Sequence, residues 1–134
     1  MFPSRSVITD TVVLPASAET LFETYLDPAQ HTAFTGKPVT IGAEQGARFE
    51  AFDGMLTGVI LHVVRPRLVV QSWRSVLFHA EDPDSTLILT FTPENNQGRI
   101  DLVHLDVPEH DYEGVIAGWK KFYWDPWRQY LQQG

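Results

Sequence analysis

Over residues 115–131 the apolar positions repeat at helical spacing. At about 100° per residue, Val115, Trp119, Phe122, Tyr123, Trp127 and Tyr130 fall on one broad arc, and Lys121, Asp125, Arg128 and Gln129 fall opposite. The pattern predicts a long amphipathic C-terminal helix. A buried aromatic removes roughly 150–250 Å² from water, so a helix with this many needs a large apolar surface to lie on. Upstream the period shifts toward two, which predicts that this surface is a sheet.

Residues 6–14 alternate, with Ile8, Val12 and Leu14 against Thr9 and Thr11, and read as a first strand ended by Pro15. Ser17 offers an N-cap for a short helix carrying Leu21, Phe22, Tyr25 and Leu26, and Asp27-Pro28 suits the start of a second one. Glycines 36, 42, 46 and 54 then punctuate a strand region. Residues 47–52, 55–64 and 68–74 read as consecutive antiparallel strands, with Asp53-Gly54 as a hairpin turn and Arg65-Pro66-Arg67 as a tight connection. After the polar loop Glu81-Asp82-Pro83-Asp84, residues 86–92 and 99–105 form a hairpin across residues 95–98, and Pro108 closes the sheet region. The predicted class is α+β: six to seven antiparallel strands wrapped around the C-terminal helix, with two short helices after the first strand. Sheet and helix each have one apolar face to cover, so packing them together is the economical solution. With no repeat and no linker, residues 1–134 read as one domain.

The candidate chemistry is apolar with a few polar groups. Trp73 and Arg74 are strand neighbours and point to opposite faces, so only one can look toward the helix. Trp119 and Tyr123 are one helical turn apart and share a side. Together with Phe122, Phe49 and His62 they are the candidates for lining a cavity between helix and sheet, of the aromatic kind that holds small hydrophobic molecules. The same aromatics at the same spacing also suit a completely filled core. Trp124 falls off the main arc, which suits an exposed anchor for a partner. Alternatively Pro126, which cannot donate to the preceding turn, kinks the helix and brings Trp124 onto the core.

Other chemistry finds little support. Among the histidines at 31, 62, 79, 104 and 110, the tight carboxylate spacings are His104-x-Asp106 and His110-x-x-Glu113, and both read as solvated or strand-end groups. No metal site emerges from spacing, and the acidic loop lacks the ligand pattern of a calcium-binding EF-hand. A catalytic pair would need a titratable set inside the cavity, and parity alone does not place Glu50, His62 or His104 there. No nucleophile elbow, phosphate loop or dinucleotide fingerprint occurs, so a non-catalytic role without cofactor is expected. Absence of cysteine excludes thiol catalysis and thiolate metal sites, and a formal charge of −7 disfavours nucleic acid and anionic lipid. With no secretory leader pattern and no apolar run of membrane-spanning length, a cytoplasmic location is the expectation.

Four segments in order carry a family resemblance: Ala33-Phe34-Thr35-Gly36, the stretch 46–54 ending Phe52-Asp53-Gly54, then Val69-Val70-Gln71-Ser72-Trp73-Arg74, and Gly118-Trp119 followed by Phe122-Tyr123-Trp124. Over nearly the whole chain the sequence resembles the C-terminal domain of the activators of the heat-shock-protein-90 ATPase, a branch of the START-like (SRPBCC, helix-grip) superfamily. The resemblance implies the helix-grip fold and a non-catalytic interaction or ligand-binding module, co-chaperone-like and associated with stress response, with an Hsp90-type chaperone as partner. The alternative it implies is a START-like carrier or enzyme acting on a small hydrophobic molecule in the cavity between sheet and helix. Full-length eukaryotic activators carry a further N-terminal domain that supplies much of the chaperone contact, and these 134 residues have no room for it. Monomer and homodimer both remain open.

Overall fold

A computed structural model describes residues 5–133. Seven strands form one antiparallel sheet: β1 (Arg5–Leu14), β2 (Val39–Thr40), β3 (Arg48–Ala51), β4 (Leu56–Val64), β5 (Leu68–Ser75), β6 (Ser85–Glu94) and β7 (Gln97–Pro108), in the spatial order β1-β7-β6-β5-β4-β3-β2. The turns follow from residues that tolerate positive φ. Asn95 and Asn96, at φ 48° and 66°, close the β6–β7 hairpin, and Gly54, at φ 85°, completes the β3–β4 turn after Phe52 and Asp53. Along β5 and over residues 85–92 and 97–105 of β6 and β7 burial alternates, so Val69, Gln71, Trp73, Leu87, Leu89, Ile100, Leu102 and His104 share the inner face.

Two short helices, α1 (Ala18–Leu26) and α2 (Pro28–Thr35), follow β1. Ser17 Oγ accepts from the Thr20 amide at 3.1 Å and Asp27 Oδ2 from the Gln30 amide at 2.8 Å, so each helix begins on a side-chain cap. Gly98 lets α1 lie tight on β7: a Cβ there would stand 2.6 Å from Leu21 Cδ1 and 2.8 Å from the Ala16 carbonyl.

The C-terminal helix is not one uniform α-helix. A 3₁₀ turn (Glu109–Asp111) leads into α3 (Tyr112–Gly118), then a π-helical segment (Trp119–Trp124), then α4 (Asp125–Gln132). The Asp125 amide donates to the Lys120 carbonyl, closing a ring one residue wider than in an α-helix. Pro126 follows at the start of α4, where its missing N–H costs least. The wider turn shifts the phase after Trp119: Tyr123 and Trp127 stay buried as the arc predicts, but Phe122 and Trp124 change sides. Of the two readings of Trp124, exposed anchor or core residue, its burial matches the second: it is stacked on Trp119 at 5.4 Å, with its Nε1–H donating to Asp10 Oδ2 at 3.0 Å. Phe122, expected on the inward arc, is 46% exposed. Among the described residues, no helix is long and apolar enough to cross a membrane.

Candidate functional site

α3 touches the sheet at β1 and β7 but stands clear of it on the β4–β5 side. A pocket of about 410 Å³ opens there. Leu56 on β4 with Trp73 and Ser75 on β5 line one wall, and Gly114, Val115, Gly118, Trp119 and Phe122 line the other. Gly114 and Gly118 sit four apart, hence on one helix face, and having no side chains they leave that face hollow. A Cβ on Gly118 would meet only Phe122 Cδ2, at 3.6 Å. Phe52, Met55 and Leu77 ring the mouth, where Lys37 and Asp53 approach to 4.0 Å as an exposed pair.

One carboxylate reaches this apolar surface from the inside. Asp111 immediately precedes α3 yet does not spend its side chain on capping it. Burial raises its pKa from the ordinary aspartate value, with the neighbouring His110 pulling the other way. Trp73, which lines the same pocket, keeps its Nε1–H buried and without a hydrogen-bond partner among the described residues.

Two buried histidine networks lie behind the pocket. Trp119 Nε1–H donates to His104 Nδ1 at 3.2 Å, which leaves His104 Nε2–H to donate to Ser85 Oγ at 2.8 Å, and Ser85 donates onward to the Trp73 carbonyl at 2.6 Å. Desolvation lowers the His104 pKa to about 3, so the ring is neutral and every polar atom in the relay is satisfied. In the second network His31 Nδ1–H donates to the Tyr25 carbonyl at 2.7 Å, and its Nε2 accepts from the Tyr123 hydroxyl at 2.9 Å. Burial lowers the His31 pKa to about 4, opposed by the bond to the Tyr25 backbone. Tyr25 in turn donates to Gln71 Oε1. Burial raises the pKa of both tyrosines, so neither ionises near neutrality.

Trp73, Trp119, Phe122 and Tyr123 therefore converge on one pocket. Phe49 does not join them; it is fully buried at the packed end, 6.4 Å from the His31 ring. His62 is a correction. It is exposed on the outer face, because the register shifts between Ile60 and His62 and pairs His62 with outward Val70. A bulge of this kind breaks the alternation, so His62 does not share the inward face of Ile60. His104 is a second correction: it is buried and hydrogen-bonded rather than solvated, and its parity with Ile100 and Leu102 carries the signal for this. Glu50 pairs with Arg48 at 2.7 Å on β3, away from the pocket. Sequence reasoning passed over His31, whose i,i+3 spacing to buried Phe34 on α2 was the available clue.

Comparison with known proteins adds the following. Residues 15–132 match the sequence profile of the family described as Activator of Hsp90 ATPase homolog 1-like protein. The human Activator of 90 kDa heat shock protein ATPase homolog 1 is 26% identical over 118 residues, which is 88% of this chain and 35% of that protein. The Dictyostelium discoideum homologue is 23% identical, covering 89% of this chain and 32% of its own length. The chain thus spans about a third of the curated relatives it matches. Among solved structures, an HSP90 activator from Plasmodium falciparum superposes with a TM-score of 0.77 at 21% identity, covering 87% of this chain and 89% of that one. A protein from Mesorhizobium loti superposes with a TM-score of 0.82 at 18% identity, covering 96% and 98%. These two likenesses establish the helix-grip fold.

Proposed function

Because the chain belongs to the family of Activator of Hsp90 ATPase homolog 1-like proteins, we propose that it is a non-catalytic binding module that engages an Hsp90-type chaperone in a co-chaperone-like role. One structural observation supports a binding role for the α3 end in particular: large apolar side chains stand exposed around a half-open apolar pocket. Phe122, Met55 and Leu77 are 46%, 47% and 60% exposed there, and all three line the same mouth. Clustered exposed apolar groups of this kind are what a protein partner buries as its anchors. The histidines deeper in the fold favour a non-catalytic reading, since both are neutral, fully hydrogen-bonded and outside the pocket wall. The test is titration of an Hsp90-type chaperone from the same host, following chaperone ATP turnover together with chemical shifts of this domain. Shifts clustered on Phe122, Met55 and Leu77 are expected. Unchanged spectra at high micromolar chaperone would remove this reading.

A second reading is favoured by the pocket itself. Its volume of about 410 Å³ lies within the 300–1,000 Å³ range of small-molecule sites, which suits an apolar body with a polar head reaching Asp111. In this reading the domain is a carrier of a small hydrophobic molecule. A thermal-shift and native mass-spectrometry screen of fatty acids and flat aromatics tests it, since a ligand of the native state must raise the melting temperature with concentration. Gly118→Leu separates the two readings: it fills the pocket, abolishing small-ligand binding while leaving the exposed rim for a protein partner.

A further inference from the structure

We propose that His79, Asp82 and His110 form a binding site for a divalent transition cation of the zinc type, which ties the β5–β6 loop to the 3₁₀ turn at the start of the C-terminal helix. Spacing along the chain gave no such site, because the two histidines come from segments that only folding brings together. One ligand atom from each of the three residues lies within 4.8 Å of the others. Around a tetrahedral ion with bonds of about 2.0–2.2 Å such atoms stand roughly 3.3 Å apart, a closure that rotation of the exposed His79 side chain supplies.

The surroundings of each group suit ligation. His110 Nε2–H donates to the Leu77 carbonyl at 3.1 Å, which fixes the tautomer and leaves Nδ1 with a free lone pair. Metal-bound histidines are commonly oriented by such a bond from the other ring nitrogen. Asp82 is buried, and its Oδ2 accepts from the His79 amide at 2.8 Å, which anchors the carboxylate and leaves it acceptor capacity for a cation. Glu81 stands 3.9 Å from His79 Nδ1 as an available fourth oxygen donor. The loop bearing these groups is already braced by Arg74, which donates to the His79 and Asp82 carbonyls at 2.9 and 2.7 Å. Two imidazoles with a carboxylate select zinc, cobalt or nickel over magnesium and calcium, which prefer all-oxygen shells. The two rings now stack at 3.8 Å and 3°, so binding turns the His79 ring out of face-to-face contact while His110 keeps its bond to Leu77. The bound cation would also fix Leu77, on the pocket mouth, relative to the helix start that carries Asp111.

The test is isothermal titration of tag-free protein near neutral pH with zinc chloride, against magnesium and calcium chloride. A 1:1 stoichiometry is expected with zinc and no binding with the other two. His79→Ala and His110→Ala should each weaken binding about tenfold or more, and the double variant should abolish it, whereas His62→Ala, the other exposed histidine, should change nothing. Cobalt supplies an independent readout, because a tetrahedral nitrogen–oxygen site gives an intense visible absorption that an octahedral aquo ion lacks. Circular dichroism confirms folding, and His79→Gln with His110→Gln serves if an alanine variant misfolds. Absence of zinc heat and of the cobalt band at about 100 μM metal, where even micromolar sites are saturated, would overturn the proposal. Undiminished binding by the folded double variant would equally do so, showing only adventitious capture elsewhere.

Discussion

The two ends of the C-terminal helix, α4 packed on α2 and α3 facing the sheet, solve the same packing problem in opposite ways. Under α4 the space is filled: Trp127 stacks on Phe34 at 4.3 Å and 9°, Phe34 stacks on His31 at 5.0 Å, and Trp124 lies alongside. Under α3 Gly114 and Gly118 contribute no side chains, and the equivalent space is the pocket. Tyr123 stands at the border, lining the pocket while its hydroxyl bonds His31 in the packed end. The difference teaches that a row of aromatics does not by itself say whether a core is full. What decides is the residue on the turn facing them, and glycine at two positions four apart is enough to leave room for something else.

The sharpest way to break this contrast is truncation. Trp127→Ala should cost about 3–5 kcal/mol, since it empties a fully buried site, whereas Phe122→Ala should cost less than about 1 kcal/mol. Urea unfolding of both variants checks this, and equal losses would erase the distinction between the ends. Acid comes next. His31 and His104 have folded pKa values of about 4 and about 3, below the ordinary 6.5, so the unfolded chain binds more protons than the native one. Their stabilisation is therefore complete above pH 6.5 and is lost as the pH falls toward the folded values. At pH 5 each costs roughly 2 kcal/mol relative to pH 7, about 4 kcal/mol together. Urea midpoints at the two pH values measure it, and His31→Gln should remove only the packed-end half.

Tyr123→Phe should cost about 1–2 kcal/mol, because His31 Nε2 loses the hydroxyl that donates to it in a buried place. Apolar-ligand affinity should hardly change, because the ring that lines the pocket stays. The smallest effect on stability belongs to Gly118→Leu, within about 1 kcal/mol of wild type, since better helix propensity offsets crowding of Phe122. Calorimetry with any apolar ligand found by screening should then show binding lost. A variant that still binds would place the ligand outside the α3 end.

Most of the fold was legible because burial has a period. Alternation marked β1, turn signals bounded the strands from β3 to β7, with Asp53-Gly54 and Asn95-Asn96 among them, and the aromatic spacing marked the helix. Each misplacement has a local cause that breaks a period. One extra residue near Leu61 turned His62 outward, and one wider turn after Trp119 moved Trp124 in and Phe122 out. Trp73, not Arg74, takes the inner face, in phase with Val69 and Gln71. The hollow itself was harder to see. Gly114 and Gly118 were plain in the chain, but a space is defined by what the opposite wall fails to reach, and that wall comes from β4 and β5.

The π segment has a further meaning for how this protein can change over time. It works as a clutch between two gears on one shaft. Because the extra residue sets the phase of α4 separately from that of α3, the gripping end keeps its mesh of Trp127 with Phe34 whatever teeth are cut on the other gear. Removing one residue from the segment would restore regular winding and swing α4 by about 100°, carrying Trp127 off its seat. While the clutch stays, substitutions on the α3 gear can retune what that end takes hold of, at little risk to the part that keeps the chain folded.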